Sequence, residues 1–181
     1  MKFIKRLGMG IAILLFAILL FRGWLFRQLV HYKTIGQRTE YLVTDADLEH
    51  LIDQAVEKHK PKDAKAAIRL SLRLTAQELH FVVARNDNDP NLLIHSKKAH
   101  CVGYAAFFAS VCNAVLARSG LADDWAAKPQ IGALYLLGVN IHRYFKTPFF
   151  KDHDFDRIVN RQTGEEILVD PTVYDYFRIV W

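Results

Sequence analysis

The sequence predicts an α+β domain preceded by one membrane-spanning helix, and three observations lead to that prediction. The chain begins with an apolar run of the length that a bilayer-spanning helix requires. Its middle part carries apolar residues at helical spacing, and its last third changes to the shorter period of strands. The helices precede the strands, so we expect an antiparallel sheet with a central buried helix packed against it.

Length and composition favour one globular domain behind the apolar run. The 181 residues are about one domain's worth, and an apolar content of 51% is ample for a core. The isoelectric point near 9.2 comes from Lys and Arg scattered along the chain, so no nucleic-acid partner is predicted. We divide the chain into a membrane anchor (residues 1–30), a linker with a first helix (31–60) and the main domain (61–181).

The apolar run from Leu7 to Phe21 continues past Arg22 as far as Phe26. A span from about Leu7 to Phe26 has the necessary length, because Arg22 can extend toward the headgroups and Trp24 suits the interface. The alternative is a signal peptide, but small residues suited to cleavage do not follow the run. We therefore predict an uncleaved single-pass anchor, with the domain on the extracytoplasmic side of the membrane.

Three helices are predicted between the anchor and the centre of the chain. They run from an N-cap at Thr44 or Asp45 to Lys60, over Ala64–Leu74, and from a capping box at Thr75 to Val83. The polar stretch Arg85–Pro90 follows and is rich in turn-forming residues. It predicts a loop.

The segment from Cys101 to Arg118 predicts the central helix. It is apolar on nearly every face, which is typical of a buried helix, and Gly120 followed by Leu121 suits a C-terminal cap. Cys101 would then lie at the helix N terminus, where unpaired N–H groups and the helix dipole favour a thiolate and can form part of an oxyanion hole. Cys112, three turns further on, is interpreted as a packing residue.

The two cysteines do not indicate a disulfide or a zinc site. They are eleven positions apart (112 − 101) on one predicted helix, about 16 Å along its axis, which is too far for a disulfide. A count of two cysteines also gives no evidence of a disulfide scaffold or of a four-ligand zinc site. The chain has no glycine-rich phosphate loop, and we predict no cofactor and no metal.

Four strands are predicted in the last third of the chain. They are Ile131–Leu137, Asn140–Phe145, His153–Val159 and Glu165–Val169. A turn-rich segment joins the last two as a hairpin. In one possible register His153 lies opposite Pro171, beside Asp170, and in a register one residue tighter it pairs with Asp170 directly. Either register brings the imidazole and the carboxylate to the same end of the sheet.

Other polar and aromatic residues compete for a role. His142 could project toward the same cleft but has no carboxylate placed beside it, so it ranks behind His153. The remaining interpretations are these: surface or packing residues for His31, His50, His80 and His95; solvated strand-end charges for Asp152, Asp154 and Asp156; and core for Phe107, Phe108, Phe149 and Phe150. His100 either tunes the thiol of Cys101 or faces solvent.

Three short motifs resemble those of transglutaminase-like proteins. Cys101-x-x-Tyr-Ala, ahead of an apolar helix and Arg-Ser-Gly, is similar to the nucleophile helix of that family. His153-Asp-Phe and Val-Asp170-Pro-Thr are similar to its His and Asp motifs, and they occur in the same order. The similarity covers about Ala64 to Tyr176. The chain departs from the family at Asp154-Phe155, where a small residue and then Trp are more usual.

The resemblance implies a papain-like fold and a thiol enzyme. Cys101 would be the nucleophile, His153 the general base and acid, and Asp170 the residue that orients the imidazole. The implied substrates are amide or acyl groups of a protein or peptide. The chain would be a peptidase or amidase if water accepts the acyl group, and a transglutaminase-type acyltransferase if an amine does. The sequence leaves both open, and the side chain that would complete the oxyanion hole is sought at Gln77, Asn91 or His95.

An alternative belongs to another class of function. The chain could be a catalytically silent binding or assembly module of the same fold, held at the membrane. The departure after His153 and the missing oxyanion side chain favour that alternative, whereas the presence of all three triad residues favours an enzyme. Cell-wall peptidases and arylamine acyltransferases are disfavoured by the Val-Asp170-Pro-Thr pattern.

Overall fold

The computed structural model of the chain describes residues 2–180, and it combines helices with an antiparallel sheet as predicted. In chain order the elements are α1 (Lys2–Leu29), β1 (Val30–Gln37), α2 (Ala46–His59), α3 (Ala64–Glu78), β2 (His80–Phe81), α4 (Pro90–Ser96), β3 (Lys98–Ala99), α5 (Cys101–Arg118), β4 (Trp125–Leu136), β5 (Val139–Asn140), β6 (His153–Asn160), β7 (Glu166–Val169) and α6 (Pro171–Phe177). Two 3₁₀ helices, at Ile141–Tyr144 and Pro148–Phe150, lie between β5 and β6.

The main sheet has the order β1-β4-β6-β7, and β5 folds back on the end of β4. Every pairing in it is antiparallel. Strands β2 and β3 form a separate parallel pair. Helix α5 packs against β4 and β6 on one side and against α3 on the other. The hydrophobic core therefore lies between the helices and one side of the sheet.

Helix α5 has the bounds that the sequence predicts. Its apolar side chains are buried, among them Tyr104, Phe107 and Phe108, which are fully buried. The helix ends as expected, because Gly120 adopts a positive φ of 70° and the Leu121 N–H donates to the Leu116 carbonyl at 2.8 Å. The C-terminal end of the core helix is thus fixed by the cap that the sequence predicts.

One polar side chain of α5 fixes that helix to the sheet. The Asn113 amide donates to the Ala127 carbonyl at 2.9 Å, and its oxygen accepts from the Ala127 N–H at 2.8 Å. This paired bond sets the position of α5 along β4. Cys101, twelve residues (113 − 101) before Asn113 on the same helix, is thereby held at a fixed place relative to the sheet.

Helix α1 is long and apolar enough to span a membrane over Arg6–Leu29, with a mean hydropathy of 2.2. This 24-residue segment is not buried in the domain. Membrane anchors and signal sequences share these properties. Helix α5 also has the length and hydropathy of a span, but most of it is buried in the core.

Helix α1 passes directly into β1 and is joined to the domain at its end. The Leu137 N–H, just beyond β4, donates to the Leu29 carbonyl at 2.8 Å. The Arg22 guanidinium donates to the Phe177 carbonyl at 2.9 Å, at the end of α6. The long helix and the domain therefore meet through hydrogen bonds as well as through the chain.

Two helix predictions need correction. The predicted third helix is wrong because α3 continues to Glu78, and the Thr75 hydroxyl donates to the Ser71 carbonyl inside the helix at 2.9 Å instead of capping a new one. Pro90, predicted as the end of a loop, is the first residue of α4, and the Asp89 side chain caps it. The helix at residues 46–59 begins at Asp45 as predicted.

Two strand predictions also need correction. The strand expected at Asn140–Phe145 is wrong because the Asn140 side chain accepts from the His142 N–H at 2.9 Å and caps a 3₁₀ helix there. Strand β4 begins at Trp125, six residues (131 − 125) before the predicted start. Strand β1 was not predicted, and it covers part of the segment interpreted as a linker.

Candidate active site

The three residues of the expected triad each lie at the end of an element. Cys101 is the first residue of α5, His153 is the first residue of β6, and Asp170 is the N-cap of α6. The structure brings them together: His153 Nε2 lies 2.6 Å from Asp170 Oδ2, and the imidazole is close enough to the Cys101 thiol to lower its pKa by hydrogen bonding and by charge.

The hairpin that joins His153 to Asp170 has neither of the two predicted registers. Val159 pairs with Glu166. The prediction that sets His153 opposite Pro171 pairs Val159 with Glu165, so the observed register is shifted by one further residue. Continued by one residue, this register places Asp170 opposite Phe155. Because side chains two residues apart point the same way from a strand, His153 and Asp170 lie diagonally on one side of the sheet.

The Asp170 carboxylate accepts hydrogen bonds from three different elements. In addition to His153, the Tyr32 hydroxyl donates to Oδ2 at 2.7 Å and the Val173 N–H donates to Oδ1 at 2.9 Å. Burial would raise the pKa of Asp170, but the charge and hydrogen bond of His153, with the Val173 and Tyr32 donors, lower it. The carboxylate is therefore ionised and fixed in orientation.

Tyr32 is the site residue that the sequence analysis missed. It lies on β1, and its ring packs 4.9 Å from the ring of Phe155 and 6.2 Å from that of His153. Burial and then the neighbouring Asp170 charge raise the pKa of Tyr32 well above its usual value, so the phenol remains a donor. Recognising β1 as a strand would have been the way to find it.

His153 is held as a positively charged partner for the thiol. Burial would lower its pKa, but the charge and hydrogen bond of Asp170, followed by those of Cys101, raise it well above the usual value. Because Nε2 faces Asp170, Nδ1 is the ring nitrogen left for Cys101. The imidazole thus lies between the carboxylate and the sulfur.

Cys101 is a buried thiol with an acidic pKa. Burial would raise the pKa, but hydrogen bonds with His100 and His153, the His153 charge and the Asp154 N–H lower it to about 7. Cys112 shows the contrast on the same helix, because burial raises its pKa to about 12. The packing interpretation of Cys112 agrees with its complete burial.

His100 contacts residues of the site and does not simply face solvent. Its Nδ1 accepts from the Val102 N–H at 3.2 Å, which makes it the N-cap of α5. Its ring packs edge-on against Phe149 at 5.8 Å. Together with its hydrogen bond to Cys101, these contacts favour the tuning role among the two that the sequence left open.

A cavity of about 170 Å³ lies beside the Cys101 sulfur. It is mainly apolar and aromatic, and its lining consists of Phe81, Cys101, Leu134, Ile141, His142, Phe145, Phe149, Phe150, Asp152, His153 and Thr172. The core interpretation is correct for Phe107 and Phe108, which are fully buried, but wrong for Phe149 and Phe150, which line this cavity.

His142 lines the same cavity but is not available as a base. Its Nε2 accepts from the Leu134 N–H at 3.0 Å, so its Nδ1–H donates to the Phe150 carbonyl at 2.9 Å. Both ring nitrogens therefore bind the backbone. His142 fixes the 3₁₀ segment against β4.

A larger cavity of about 440 Å³ lies on the other side of Asp170. It is bounded by the end of α1, by β7 and by the segment after α6, and Tyr32 and Asp170 contribute to its wall. Cys101 and His153 are not among its lining residues. It therefore reaches the carboxylate end of the site but not the sulfur.

The interpretation of the aspartates in β6 as solvated charges is wrong for two of the three. Asp154 and Asp156 are fully buried, whereas Asp152 is half-exposed. Arg38, just after β1, donates to both oxygens of Asp154 at 2.7 and 3.0 Å. Because the Asp154 N–H also points to Cys101, this ion pair fixes a part of the strand that contacts the sulfur.

The expected oxyanion side chains lie elsewhere. The Asn91 oxygen accepts from the N–H groups of Thr44 and Asp45, and His95 Nε2 lies 2.8 Å from Asp45 Oδ2. Gln77 is exposed on α3. The side-chain donor sought in the sequence is therefore not among these residues.

One group in the described part of the chain has the geometry to hold a metal ion. It consists of Asp45, Asp47 and His95, between the start of α2 and the end of α4, and it is largely exposed. Its members already pair with each other and with the α2 N terminus. It is separate from the Cys101 cavity.

Comparison with known proteins finds no matching family model, no matching curated protein and no matching solved structure.

Proposed function

We propose that the chain is a membrane-anchored, transglutaminase-like thiol enzyme that cleaves or transfers amide bonds through a Cys101-His153-Asp170 triad. The observation that carries the proposal is the thiol–imidazole–carboxylate arrangement at the end of a buried helix, in which the pKa of Cys101 is lowered to about 7. A thiolate near neutral pH is what nucleophilic cysteine catalysis requires. Helix α1, with its length and hydropathy, would hold the domain at the membrane with the domain outside the cytoplasm.

The chemistry follows from the positions of these groups. The Cys101 thiolate attacks the carbonyl carbon of an amide, and the negative charge on the carbonyl oxygen is stabilised by N–H groups at the start of α5. The C–N bond then breaks, and His153 gives its proton to the departing amine. The result is a thioester on Cys101.

The second half of the reaction releases the acyl group. His153, now neutral, removes a proton from water or from an amine as that nucleophile attacks the thioester, and the Cys101 thiolate leaves. Water makes the reaction a hydrolysis, and an amine makes it an acyl transfer. Asp170 stays ionised and keeps the imidazole oriented throughout.

A silent binding module is the second candidate function. The observation in its favour is that the cavity lining contains no Asn or Gln side chain that could complete an oxyanion hole. In that case the apolar cavity would bind a ligand without turning it over. The two candidates differ in one property, which is the reactivity of Cys101.

The deciding experiment is the pH dependence of iodoacetamide alkylation at Cys101, measured by mass spectrometry on the full-length protein. We expect the rate to rise as pH rises through about 7, the pKa of this thiol. An ordinary thiol has its inflection at about 8.5. His153→Ala should move the inflection above 8 or so, since the imidazole charge is lost.

The control variant is His80→Ala, which removes an exposed histidine on β2. It should leave the inflection where it is in the wild type, and Cys101→Ala should abolish the signal. Alkylation of Cys101 with the pH dependence of an ordinary thiol, unchanged by His153→Ala, would falsify the enzyme proposal and leave the binding module.

A further inference from the structure

The segment of residues 136–151, here called the apolar loop, exposes large apolar side chains. Those with the largest exposed fractions are Tyr144 at 76%, Leu137 at 72%, Val139 at 47%, Leu136 at 43%, Phe145 at 41% and Phe150 at 40%. Three residues in it are basic and exposed, Arg143, Lys146 and Lys151, and none is acidic. Exposed apolar side chains with basic neighbours are typical of segments that lie on anionic membranes.

The apolar loop begins where α1 ends. Leu136 pairs with Val30, and the Leu137 N–H donates to the Leu29 carbonyl at 2.8 Å. If α1 spans the bilayer, Leu29 lies at its boundary. The first residues of the loop are therefore at the level of the membrane surface.

The apolar loop also forms much of the cavity beside Cys101. Five of the eleven lining residues belong to it: Ile141, His142, Phe145, Phe149 and Phe150. His153 pairs with Gly132, four residues (136 − 132) along β4 from Leu136, or about 13 Å at 3.3 Å per residue. One leaflet of a bilayer is about 15 Å thick, so a lipid chain can cover this distance.

We propose that the apolar loop lies on the bilayer surface that α1 enters, and that the substrate of the Cys101 site is a molecule of that bilayer whose apolar chain occupies the cavity. This inference rests on the proposed function, because it names the substrate class of the same thiol. The amide carbonyl that Cys101 attacks then belongs to a lipid-linked molecule, whose apolar chain the cavity holds. An apolar chain fits a cavity lined by aromatic and aliphatic side chains. A polar side chain of a substrate would find few hydrogen-bond partners there.

The position of the apolar loop is tested with fluorescent labels and brominated lipids. The full chain carries Cys101→Ser and Tyr144→Cys, is labelled at position 144, and is placed in vesicles of phosphatidylcholine and phosphatidylglycerol. The control label is at Leu42→Cys, on an 82% exposed side chain before α2. Lipids brominated high in the acyl chain should quench the label at position 144 about two-fold or more and leave the control unchanged. Equal quenching at both positions overturns the proposal.

The substrate class is tested by the reactivity of Cys101 in the same vesicles. The Leu42→Cys variant, with Cys101 intact, contains an exposed reference thiol, and both thiols are alkylated with iodoacetamide and with N-dodecyl iodoacetamide. The rate ratio of the long probe to the short one should be about tenfold or more higher at Cys101, since chain burial is favourable. If the long-to-short rate ratio is equal at both thiols while iodoacetamide alkylates Cys101 rapidly, the inference about the substrate is overturned and the proposed function stands. Slow alkylation of Cys101 by both probes overturns the proposed function as well.

Discussion

Asp170 is the residue at which the site is most constrained. One carboxylate joins β6 through His153, β1 through Tyr32 and α6 through its own capping bond to Val173. A carboxylate whose hydrogen bonds come from three directions cannot rotate without losing at least one of them. The orientation of the imidazole therefore depends on β1 as much as on the hairpin that carries His153.

The Tyr32→Phe variant tests this dependence. It removes one donor from a buried carboxylate and keeps the ring that packs on Phe155, so we expect the free energy of unfolding at pH 7 to fall by about 1–3 kcal/mol. Because the pKa of Asp170 is lowered in the folded chain, its contribution is present above a pH of about 4 and is lost as the pH falls through the lowered pKa.

The measurement is urea denaturation of the two proteins at pH 7 and at successively lower pH. The difference between wild type and variant should shrink on acidification. Tyr135→Phe, which removes a hydroxyl from the neighbouring strand, serves as the control and should change little. A difference that stays constant down to the lowest pH would show that Tyr32 acts through packing and not through Asp170.

The residue types of the site were predictable, whereas their buried supports were not. A cysteine at the start of an apolar helix and a His–Asp pair on one hairpin can be recognised from local sequence. Tyr32 on β1 and Arg38 just after it reach the site from more than sixty positions before Cys101 (101 − 38 = 63). Burial of Asp154 depends on that distant arginine, so no local pattern could distinguish it from a solvated charge.

At the scale of elements, β4 leaves room for a side chain of β6 at Gly132. A Cβ atom there would overlap Phe155 Cε1 and would lie 2.9 Å from the His153 carbonyl oxygen. Glycine thus lets the Phe155 ring lie across β4, where it supports Tyr32. The small residue in one strand is needed for the aromatic residue in the next.

Gly132→Ala should therefore destabilise the fold by about 1–3 kcal/mol through overpacking. It should also slow iodoacetamide alkylation of Cys101 at neutral pH, because displacement of Phe155 and of the His153 backbone disturbs the imidazole. Denaturation and alkylation rates measure the two effects.

A second substitution shows whether the Phe155 ring is the cause. Gly132→Ala combined with Phe155→Leu should cost less than the sum of the two single variants, since the smaller side chain makes room for the added methyl. Additive costs would mean that the backbone contact with His153, and not the ring, limits the site.

Elements with strong local signals agree with the sequence, and elements made by tertiary pairing do not. Helix α5 and the end of β7 have the expected bounds, because an apolar segment with a glycine cap and a turn-rich hairpin are local features. Strand β1 exists because β4 provides its partner, and the 3₁₀ helix at Ile141–Tyr144 exists because His142 binds the backbone of β4 and of Phe150. The hairpin register differs from both predictions because the loop that joins the two strands is longer than either predicted register requires.

At the scale of the whole molecule, two buried carboxylates give stability opposite dependences on pH. The lowered pKa of Asp170 makes the fold more stable above a pH of about 4. Asp156 is fully buried, and neither of its oxygens has a hydrogen-bond partner in the described residues. Burial, and then the charges of Asp170 and Asp154, raise the pKa of Asp156 well above its usual value.

Asp156→Asn is expected to stabilise the protein at neutral pH. Between its ordinary pKa and its raised pKa, the folded chain holds a proton that the unfolded chain has lost, so wild-type stability falls by up to about 1.4 kcal/mol per pH unit. Asn does not titrate, so the variant lacks this loss. Its free energy of unfolding at pH 7 should exceed that of the wild type by at least about 1 kcal/mol. Denaturation at several pH values measures the gain.

The control for this prediction is Asp123→Asn, an exposed aspartate before β4. Its effect should be small and should not depend on pH. The prediction is wrong if the difference in free energy of unfolding between Asp156→Asn and wild type is the same at pH 7 as at pH 4. The buried carboxylate would then have a stabilising partner.

The direct passage of α1 into β1 has a consequence for how the proposed enzyme meets its substrate. With no linker between Leu29 and Val30, and with the Leu137 N–H bonded to the Leu29 carbonyl, the position of the site relative to the end of α1 is fixed. If α1 spans the bilayer and the substrate belongs to that bilayer, as proposed, the height of the site above the membrane is fixed and encounters occur by lateral diffusion in two dimensions. The reaction rate should then depend on the number of substrate molecules per unit area of membrane, and diluting the vesicles in buffer should leave it unchanged.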